Sequence, residues 1–254
     1  MGSRSFNGTT DVAIVGNVSA LNITGAVSIV CWANPASFPA SGFNWGVMAT
    51  KGSGPSTETY TIRFSGAGLA SGTGNYLQAT TYNGTASAGA EFIHSISTGT
   101  WNHIAGVCNS SGNWFLYLNG TSVGTQVNNP QTPFSNTSRF TIGAWDGNGT
   151  IGRWFNGKVA DVAVWNVALT QLEITALSRG ARPWMIREPA LQGWWPLDAI
   201  ASPEPDLSGN ANNATLTGTA AAFGAPTALF TPRWPQYPFL PPPPTFTLMP
   251  QIVT

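Results

Sequence analysis

The sequence predicts an all-β fold: an antiparallel two-sheet sandwich with one short helix and an extended, proline-rich C-terminal arm. Through the first 168 residues, β-branched and aromatic runs alternate with clusters of Gly, Asn, Ser and Pro, as expected of short strands joined by turns. Helical periodicity is nearly absent there, which argues against alternating strands and helices. Charged residues make up 8% of the chain and hydrophobic residues 42%, which indicates a packed domain rather than a disordered polar coil.

The strands are predicted from runs of β-branched and aromatic residues between turn signals. Tyr60, Ile62 and Phe64 show the pattern, since a period of two places them on one face and the residues between them on the other. Asn83-Gly84 is one of several Asn-Gly pairs beside such runs, and it favours a tight hairpin. The predicted strands are Val12–Val15, Val27–Ala33, Thr59–Phe64, Tyr76–Tyr82, Phe92–Ser95, His103–Cys108, Trp114–Leu118, Arg139–Ile142 and Lys158–Trp165.

One helix is predicted after the last long strand. Thr170 and Glu173 have the spacing of a capping box, and Gly180 can end the helix. The apolar stripe of this helix comprises Leu172, Ile174, Ala176 and Leu177. Because the helix is short and follows the strands, we expect it to close one end of the sandwich.

The chain changes character beyond the helix. A connector rich in Pro, Trp and Arg at residues 181–189 leads into a second β-like segment at residues 191–218. From residue 225 the sequence is dense in proline, with Pro241–Pro244 in succession, and it can form neither a helix nor a central strand. The predicted organisation is one domain over residues 1–224 and an extended arm over residues 225–254.

Four blocks resemble laminin G-like, concanavalin A-like domains. They are Ser5–Thr9, with its Phe-x-Gly-Thr element, the Trp-Asn-His-Ile-Ala run at Trp101–Ala105, the Tyr-x-Asn-Gly strand at Phe115–Gly120, and the long strand Phe155–Leu169. The resemblance covers roughly residues 4–180 and implies a jelly-roll sandwich. One departure is Ala160, which stands where the family has the first of two acidic residues; the second is Asp161.

A further block resembles the family's opening strands but follows the helix here. It comprises Gly193–Asp198, the turn Asp206–Asn210 and Thr215–Gly218. A sandwich without its opening strands would leave an unpaired edge, so other strands must fill that place. The same chain can supply them as a circular permutation, a neighbouring subunit can receive them, or they can belong to a truncated second domain.

The inventory of titratable residues argues against an enzyme and against nucleic-acid binding. The net charge is zero, so no basic surface is available to neutralise phosphates. The nearest pair of acids, Glu204 and Asp206, brackets a proline in a turn, while Glu58 and Glu91 are expected to be isolated surface residues of strands. Recognisable nucleophile, phosphate-binding and zinc motifs are absent from the sequence, and both histidines, His94 and His103, are expected to be structural.

The two cysteines, Cys31 and Cys108, lie in apolar runs typical of buried free thiols, with a single bridge as the alternative.

The sequence offers candidate residues for two kinds of binding site. Calcium prefers carboxylate and carbonyl oxygens, and Asp206, Asn210, Asn213 and Asp146 are candidate ligands; plain turns are the alternative and no cofactor is required. A glycan would stack on exposed aromatic rings beside Asn and Asp. The candidates are Trp45, Trp145 and Trp154, which can instead cover the ends of the sandwich or form subunit contacts.

The arm suggests a non-enzymatic structural role. An extended poly-Pro segment loses little entropy on docking, and its aromatic residues Trp234, Tyr237, Phe239 and Phe246 can fill grooves of a neighbour. The leading hypothesis is therefore a homo-oligomeric capsid-decoration or appendage protein on the surface of a virus or bacteriophage. The alternative is an extracellular, lectin-like adhesion module that binds cell-surface glycan. Neither a signal peptide nor a membrane-spanning segment is recognisable.

Overall fold

A computed structural model describes residues 2–42, 44–52, 57–147, 149–218 and 222–224. Numbered in chain order, its strands are β1 (Gly2–Asn7), β2 (Val12–Val15), β3 (Val27–Pro35), β4 (Trp45–Gly52), β5 (Glu58–Ala67), β6 (Thr73–Tyr82), β7 (Ser87–Ile93), β8 (Asn102–Cys108), β9 (Trp114–Leu118), β10 (Thr121–Val123), β11 (Thr125–Val127), β12 (Phe140–Ile142), β13 (Trp145–Gly147), β14 (Thr150–Gly152), β15 (Asn156–Trp165), β16 (Leu191–Trp195), β17 (Thr215–Thr217) and β18 (Ala222–Gly224). One α-helix, α1, spans Gln171–Ser178, and short 3-10 helices lie at Ser19–Leu21, Pro183–Met185 and Glu188–Ala190.

Two large antiparallel sheets form the predicted jelly-roll sandwich. The first sheet has the order β10-β9-β8-β3-β15-β1-β18, with β16 also paired to β15. The second has the order β11-β7-β6-β5-β4-β12-β2-β17, and β13 and β14 form a separate hairpin. The all-β fold class predicted from strand and turn patterns is confirmed.

The core lies between the two sheets and is built by strand alternation. Ile29 and Cys31 of β3 face Ile62 and Phe64 of β5 in one apolar cluster. Cys31 and Cys108 are buried free thiols, and burial raises the pKa of both because the thiolate would lose its hydration.

Helix α1 covers the outer face of the first sheet. The predicted capping box is present, with the Thr170 side chain accepting from the Glu173 amide and the Glu173 side chain accepting from the Thr170 amide. Ile174 and Leu177 join a second apolar cluster with outward-facing residues of β3, β8 and β15. The expectation that the helix closes one end of the sandwich is therefore wrong. Leu172, assigned to the apolar stripe, is 80% exposed, because it lies on the helix face turned away from that sheet.

The segment after the helix pairs with early strands of the same chain. β1 and β16 lie end to end along one edge of β15, with β1 opposite Asn156–Val159 and β16 opposite Val162–Trp165. β17 pairs with β2 in the second sheet, and β18 pairs with β1. Arg4 of β1 lies 3.6 Å from Glu204 and donates to the Ala199 carbonyl at 2.6 Å. The segment thus contributes to both sheets.

The strand predictions differ from the structure in several places, of which β4 and β7 are the longest strands. β4 was not predicted, because its sequence Trp-Gly-Val-Met-Ala-Thr-Lys-Gly has glycine near both ends and no clear alternation. Phe92–Ser95 was predicted as a strand, whereas β7 spans Ser87–Ile93 and begins with the small residues Ser-Ala-Gly-Ala. Small residues carry little strand propensity, so neighbouring strands define β7 more than its own sequence does. Among the described residues, no helix is long and apolar enough to cross a membrane.

Candidate functional site

A cavity of about 290 Å³ lies over the outer face of the second sheet. Its floor comes from β5 and β6, where Ile62 and Leu77 point into the core and the alternate residues Arg63 and Gln78 point outward. Trp145, at the start of the β13–β14 hairpin, belongs to its wall. The described lining residues are Trp45, Glu58, Arg63, Ala67, Gly68, Leu69, Gln78, Thr80, Tyr82, Ser87, Trp145 and Arg153.

A buried polar network fixes the floor of this cavity. Arg63 Nη1 donates to Glu58 Oε2 at 2.8 Å, and Arg63 Nε donates to Gln78 Oε1 at 2.9 Å. Gln78 Nε2 donates in turn to Glu91 Oε2 at 3.1 Å, and that carboxylate oxygen also accepts from the Leu69 amide at 2.7 Å. The floor is therefore held rigid by hydrogen bonds between charged and amide side chains.

Burial sets the electrostatics of the floor. It lowers the pKa of the Arg63 guanidinium, because desolvation disfavours the charged form. The charge and hydrogen bond of Glu58 act in the opposite direction, while the nearby charge of Arg153 lowers the pKa further. Glu58 and Glu91 were expected to be surface residues of strands. Glu58 is instead only 3% exposed, because the cavity's own walls cover the face on which it lies.

Three residues that line the cavity each have a buried polar atom with no hydrogen-bond partner among the described residues. The atoms are Glu58 Oε1, Thr80 Oγ1 and Trp145 Nε1. An unsatisfied buried donor or acceptor costs about 1–3 kcal/mol, so such atoms are rare and need an explanation. Here a carboxylate acceptor, an indole donor and a hydroxyl that can both donate and accept belong to residues lining a single cavity, an arrangement that suits a ligand bearing several hydroxyl groups.

The three tryptophans predicted from the sequence fall into two neighbouring cavities. Trp45 and Trp145 both line the cavity described above, while Trp154 lines a second cavity of about 230 Å³ that Trp45 also borders. The Arg63 guanidinium lies 3.8 Å from the centroid of the Trp45 ring, and the Arg153 guanidinium 4.8 Å from it. Cation–π contacts thus occupy the Trp45 ring, which leaves Trp145 and Tyr82 as aromatic surfaces for a ligand.

Sequence reasoning missed Glu58, Arg63 and Thr80. The alternation of Tyr60–Phe64 placed Arg63 on the polar face of β5, and this was the one usable signal. Loops and a hairpin cover this polar face, and that cover depends on tertiary structure. The sequence pattern alone therefore did not indicate a site there.

The proposed calcium ligands are engaged in turns. The Asp206 carboxylate accepts from the amides of Trp194, Ser208 and Asn212 at 2.8–3.0 Å. Asn213 Oδ1 accepts from the Asp206 amide, and Asn210 Nδ2 donates to the carbonyls of Leu191 and Gln192. Backbone amides thus bind the side-chain oxygens of Asp206 and Asn213.

The fourth candidate ligand, Asp146, is paired with arginine. Arg139 Nε donates to its Oδ2 at 2.6 Å and the Gly149 amide to its Oδ1 at 2.8 Å. Although burial acts to raise the pKa of Asp146, these two hydrogen bonds lower it below its ordinary value. Among the described residues, no three His, Cys, Asp or Glu side chains are placed to share a metal ion.

The remaining candidates are placed as follows. His94 packs against the rings of Phe38 and Phe64, and His103 packs edge-on against Trp32. Burial lowers the pKa of His94 to about 4 and that of His103 to about 3, as expected of neutral histidines packed in a core. The arm residues Trp234, Tyr237, Phe239 and Phe246 lie outside the described residues.

The fold resembles several solved structures. A candidate carbohydrate-binding protein from Bacteroides ovatus has a TM-score of 0.65 and 19% identity over 88% of this chain, which spans 60% of that protein. Domain 4 of the extracellular arabinanase AbnA from Geobacillus stearothermophilus, in complex with arabinotriose, has a TM-score of 0.51 and 18% identity, over 68% of this chain and 75% of that one.

A third similar structure is the CBM40 module of the Ruminococcus gnavus IT-sialidase, bound to α2,3-sialyllactose. Its TM-score is 0.53, with 12% identity over 69% of this chain and 97% of that one. At these identities the likeness is one of fold. The comparison with curated proteins found no match.

The sequence itself carries the family assignment. Residues 7–175 match the concanavalin A-like lectin/glucanases superfamily, a stretch that contains the blocks at Trp101–Ala105 and Phe155–Leu169 and ends within α1. With that match over more than half of its length, and with the two-sheet sandwich described above, the chain belongs to the concanavalin A-like lectin/glucanases superfamily.

Proposed function

We propose that this protein is a non-catalytic carbohydrate-binding module whose glycan lies in the cavity over β5 and β6. The observation that carries the proposal is that three residues lining one cavity with aromatic walls, Glu58, Thr80 and Trp145, each have a buried polar atom without a partner among the described residues. Sugars present hydroxyl groups that both donate and accept hydrogen bonds, together with apolar ring faces that stack on aromatic side chains. The fold of the glycan-bound modules supports the same function.

The acids at the cavity favour binding over hydrolysis. A retaining glycosidase places two carboxylates about 5 Å apart, and an inverting one about 6.5–9.5 Å apart, with one of them acting as acid. Among the described lining residues the one carboxylate is Glu58, and its Oε2 is bound to Arg63 at 2.8 Å. One lining carboxylate, with an oxygen already held by an arginine, does not supply the pair of acids that either mechanism needs.

The hypothesis of a capsid-decoration protein depended on the arm at residues 225–254. Those residues lie outside the described part of the chain, and no contact of the described residues bears on that role. It remains a hypothesis about the arm. The glycan-binding proposal, in contrast, uses residues of the sandwich itself.

Thr80→Val tests the proposal without disturbing the fold. Valine has nearly the shape of threonine, and the Thr80 hydroxyl is buried without a partner among the described residues, so removing it should leave stability equal or higher. If the hydroxyl bonds a sugar, affinity should fall roughly two- to tenfold, the equivalent of one neutral hydrogen bond. A glycan array would first identify the ligand, and calorimetry would then compare the variants.

Thr59→Val is the matched control. Thr59 lies on β5 and is fully buried. Within the described part of the chain its hydroxyl also has no partner, but Thr59 is not among the residues that line the cavity. It should reproduce the effect of Thr80→Val on stability and leave glycan affinity unchanged. An array without any bound glycan, or equal affinities of the two variants, would contradict the proposal.

A further inference from the structure

The β13–β14 hairpin brings Trp145 to the cavity, and it belongs to neither large sheet. Across the hairpin, Trp145 pairs with Gly152. Its base is tied to the second sheet, where the Val47 amide of β4 donates to the Arg153 carbonyl at 3.0 Å. Because β13 has no ladder partner in either large sheet among the described strands, contacts within and beneath the hairpin must fix the direction of the Trp145 ring.

Gly147 leaves the space that the Trp145 ring fills. The two residues lie on the same face of β13, since positions two apart in a strand share a face. A Cβ atom added at Gly147 would lie 2.5 Å from Cζ3 and 2.9 Å from Cη2 of the Trp145 ring, and 2.8 Å from the Thr150 carbonyl oxygen. A larger residue would therefore push the ring away. The six-membered edge of the indole lies against Gly147, so the opposite edge, which carries Nε1, points away from it.

The Asp146 carboxylate ties the same hairpin to the second sheet. Its Oδ2 accepts from Arg139 Nε at 2.6 Å, and Arg139 directly precedes β12. Its Oδ1 accepts from the Gly149 amide at 2.8 Å, a bond that spans the turn between β13 and β14. Asp146 is 2% exposed, and hydrogen bonds between charged groups are the strong ones. The ion pair therefore holds β13 to the start of β12, at the residue between Trp145 and Gly147.

We propose that Gly147 and the Arg139–Asp146 ion pair position the Trp145 indole so that its N–H group faces the ligand. This inference depends on the proposed glycan-binding function and names positioning residues of the same cavity, none of which is among the described lining residues. Trp145 Nε1 is buried without a partner in the described part of the chain, so a ligand oxygen that accepts from it forms a hydrogen bond that the described residues do not supply. Holding the donor in place beforehand reduces the entropy lost on binding.

Gly147→Ala tests the ring contact, and Gly152→Ala is its matched control. Gly152 lies opposite Trp145 on β14, and a Cβ atom there would meet no heavy atom within 4 Å beyond its chain neighbours. In calorimetry with the glycan identified on the array, Gly147→Ala should weaken binding roughly two- to tenfold, the equivalent of one neutral hydrogen bond. Gly152→Ala should leave the affinity unchanged.

The indole N–H signal of Trp145 in a proton–nitrogen correlation spectrum reports the position of the ring directly. It is assigned by its loss in Trp145→Phe. The signal should shift in Gly147→Ala and stay in place in Gly152→Ala. In the parent protein it should also shift when the glycan is added, because Nε1 then donates to the ligand.

Asp146→Asn and Arg139→Gln test the ion pair. Each removes one charge, and asparagine keeps an acceptor for the Gly149 amide. Either variant should move the Trp145 signal and weaken glycan binding. Because the two side chains act through one contact, the double variant should weaken binding no more than either single variant.

The outcomes separate this role from the proposed function. A Trp145 signal that moves in Gly147→Ala while the affinity stays at the parent value would overturn the positioning role and leave glycan binding intact. Equal effects of Gly147→Ala and Gly152→Ala, or additive losses in the double variant of the ion pair, would do the same. A parent protein that binds no glycan would overturn the glycan-binding function and this role with it.

Discussion

Replacing Trp195 with alanine measures how much the segment after helix α1 contributes to the core. The Trp195 side chain is fully buried, its ring stacks on Phe140 with centroids 5.1 Å apart, and its Nε1 donates to the Asn212 carbonyl at 2.8 Å. A buried aromatic side chain removes about 150–250 Å² from water, equivalent to about 4–6 kcal/mol as an upper bound. Because the measured cost of Trp→Ala in cores is about 3–5 kcal/mol, we expect a loss of about 4 kcal/mol.

Urea denaturation followed by far-ultraviolet circular dichroism is the assay, since it does not depend on tryptophan fluorescence. Trp184→Ala is the control, because Trp184 is 52% exposed and its loss should cost about 1 kcal/mol or less. Trp195→Phe should fall between the two, since it keeps a ring but loses the hydrogen bond. Equal stabilities of the two alanine variants would refute the reasoning. A midpoint that rises with protein concentration would instead show that a second copy supplies the segment.

Two further predictions concern pH and the arm. Burial raises the pKa of Asp161 to about 6. The native state therefore binds the carboxyl proton more tightly than the unfolded state does. As a result, the contribution of Asp161 to stability falls as the pH rises from about 4 through 6. Asp161→Asn keeps an acceptor for Trp194 Nε1. In thermal melts this variant should be more stable than the parent protein at pH 7 and should lose that advantage towards pH 4. A stability difference that does not change with pH would contradict this prediction. Truncation after Gly224 should leave the melting temperature and the glycan affinity unchanged, because the residues of both core clusters precede the cut. The truncation should abolish any self-association through the arm. An unchanged sedimentation coefficient distribution would show that the arm makes no such contact.

The parts of the fold that sequence reasoning predicted well are those with strong local signals. The capping box at Thr170 and Glu173 satisfies backbone donors within one turn, so its spacing alone locates the start of α1. The alternation over Tyr60–Phe64 likewise located β5 and the polar direction of Arg63. By contrast, β4 and β7 are held by neighbours on both sides, and their glycines and small residues carry little local signal.

The candidate site was predicted only in part, because only some of its residues carry a local sequence signal. Tryptophans in Gly/Asn-rich stretches are visible in a sequence, and two of the three line one cavity. Glu58 and Thr80 look like ordinary solvent-facing strand residues, and their burial follows from the hairpin carrying Trp145 and from the residues around Leu69. Such cover brings together chain segments far apart in sequence, so its position cannot be derived from strand periodicity.

The two outer faces of the sandwich differ in a way that separates stability from binding. On the first sheet's outer face, Trp165, Leu177 and Trp194 pack in one apolar cluster. This packing stabilises the domain by removing apolar surface from water. The second sheet's outer face carries buried polar residues, including Thr50 and Thr61, whose hydroxyls lie 2.6 Å apart, and Thr80, whose hydroxyl has no partner in the described part of the chain. Burying polar groups contributes little net stability even when they are paired, and it costs stability when they are not. Under the proposed glycan-binding function, a polar ligand in the cavity would supply the hydrogen bonds that Glu58, Thr80 and Trp145 lack among the described residues, and binding would offset the cost of burying them.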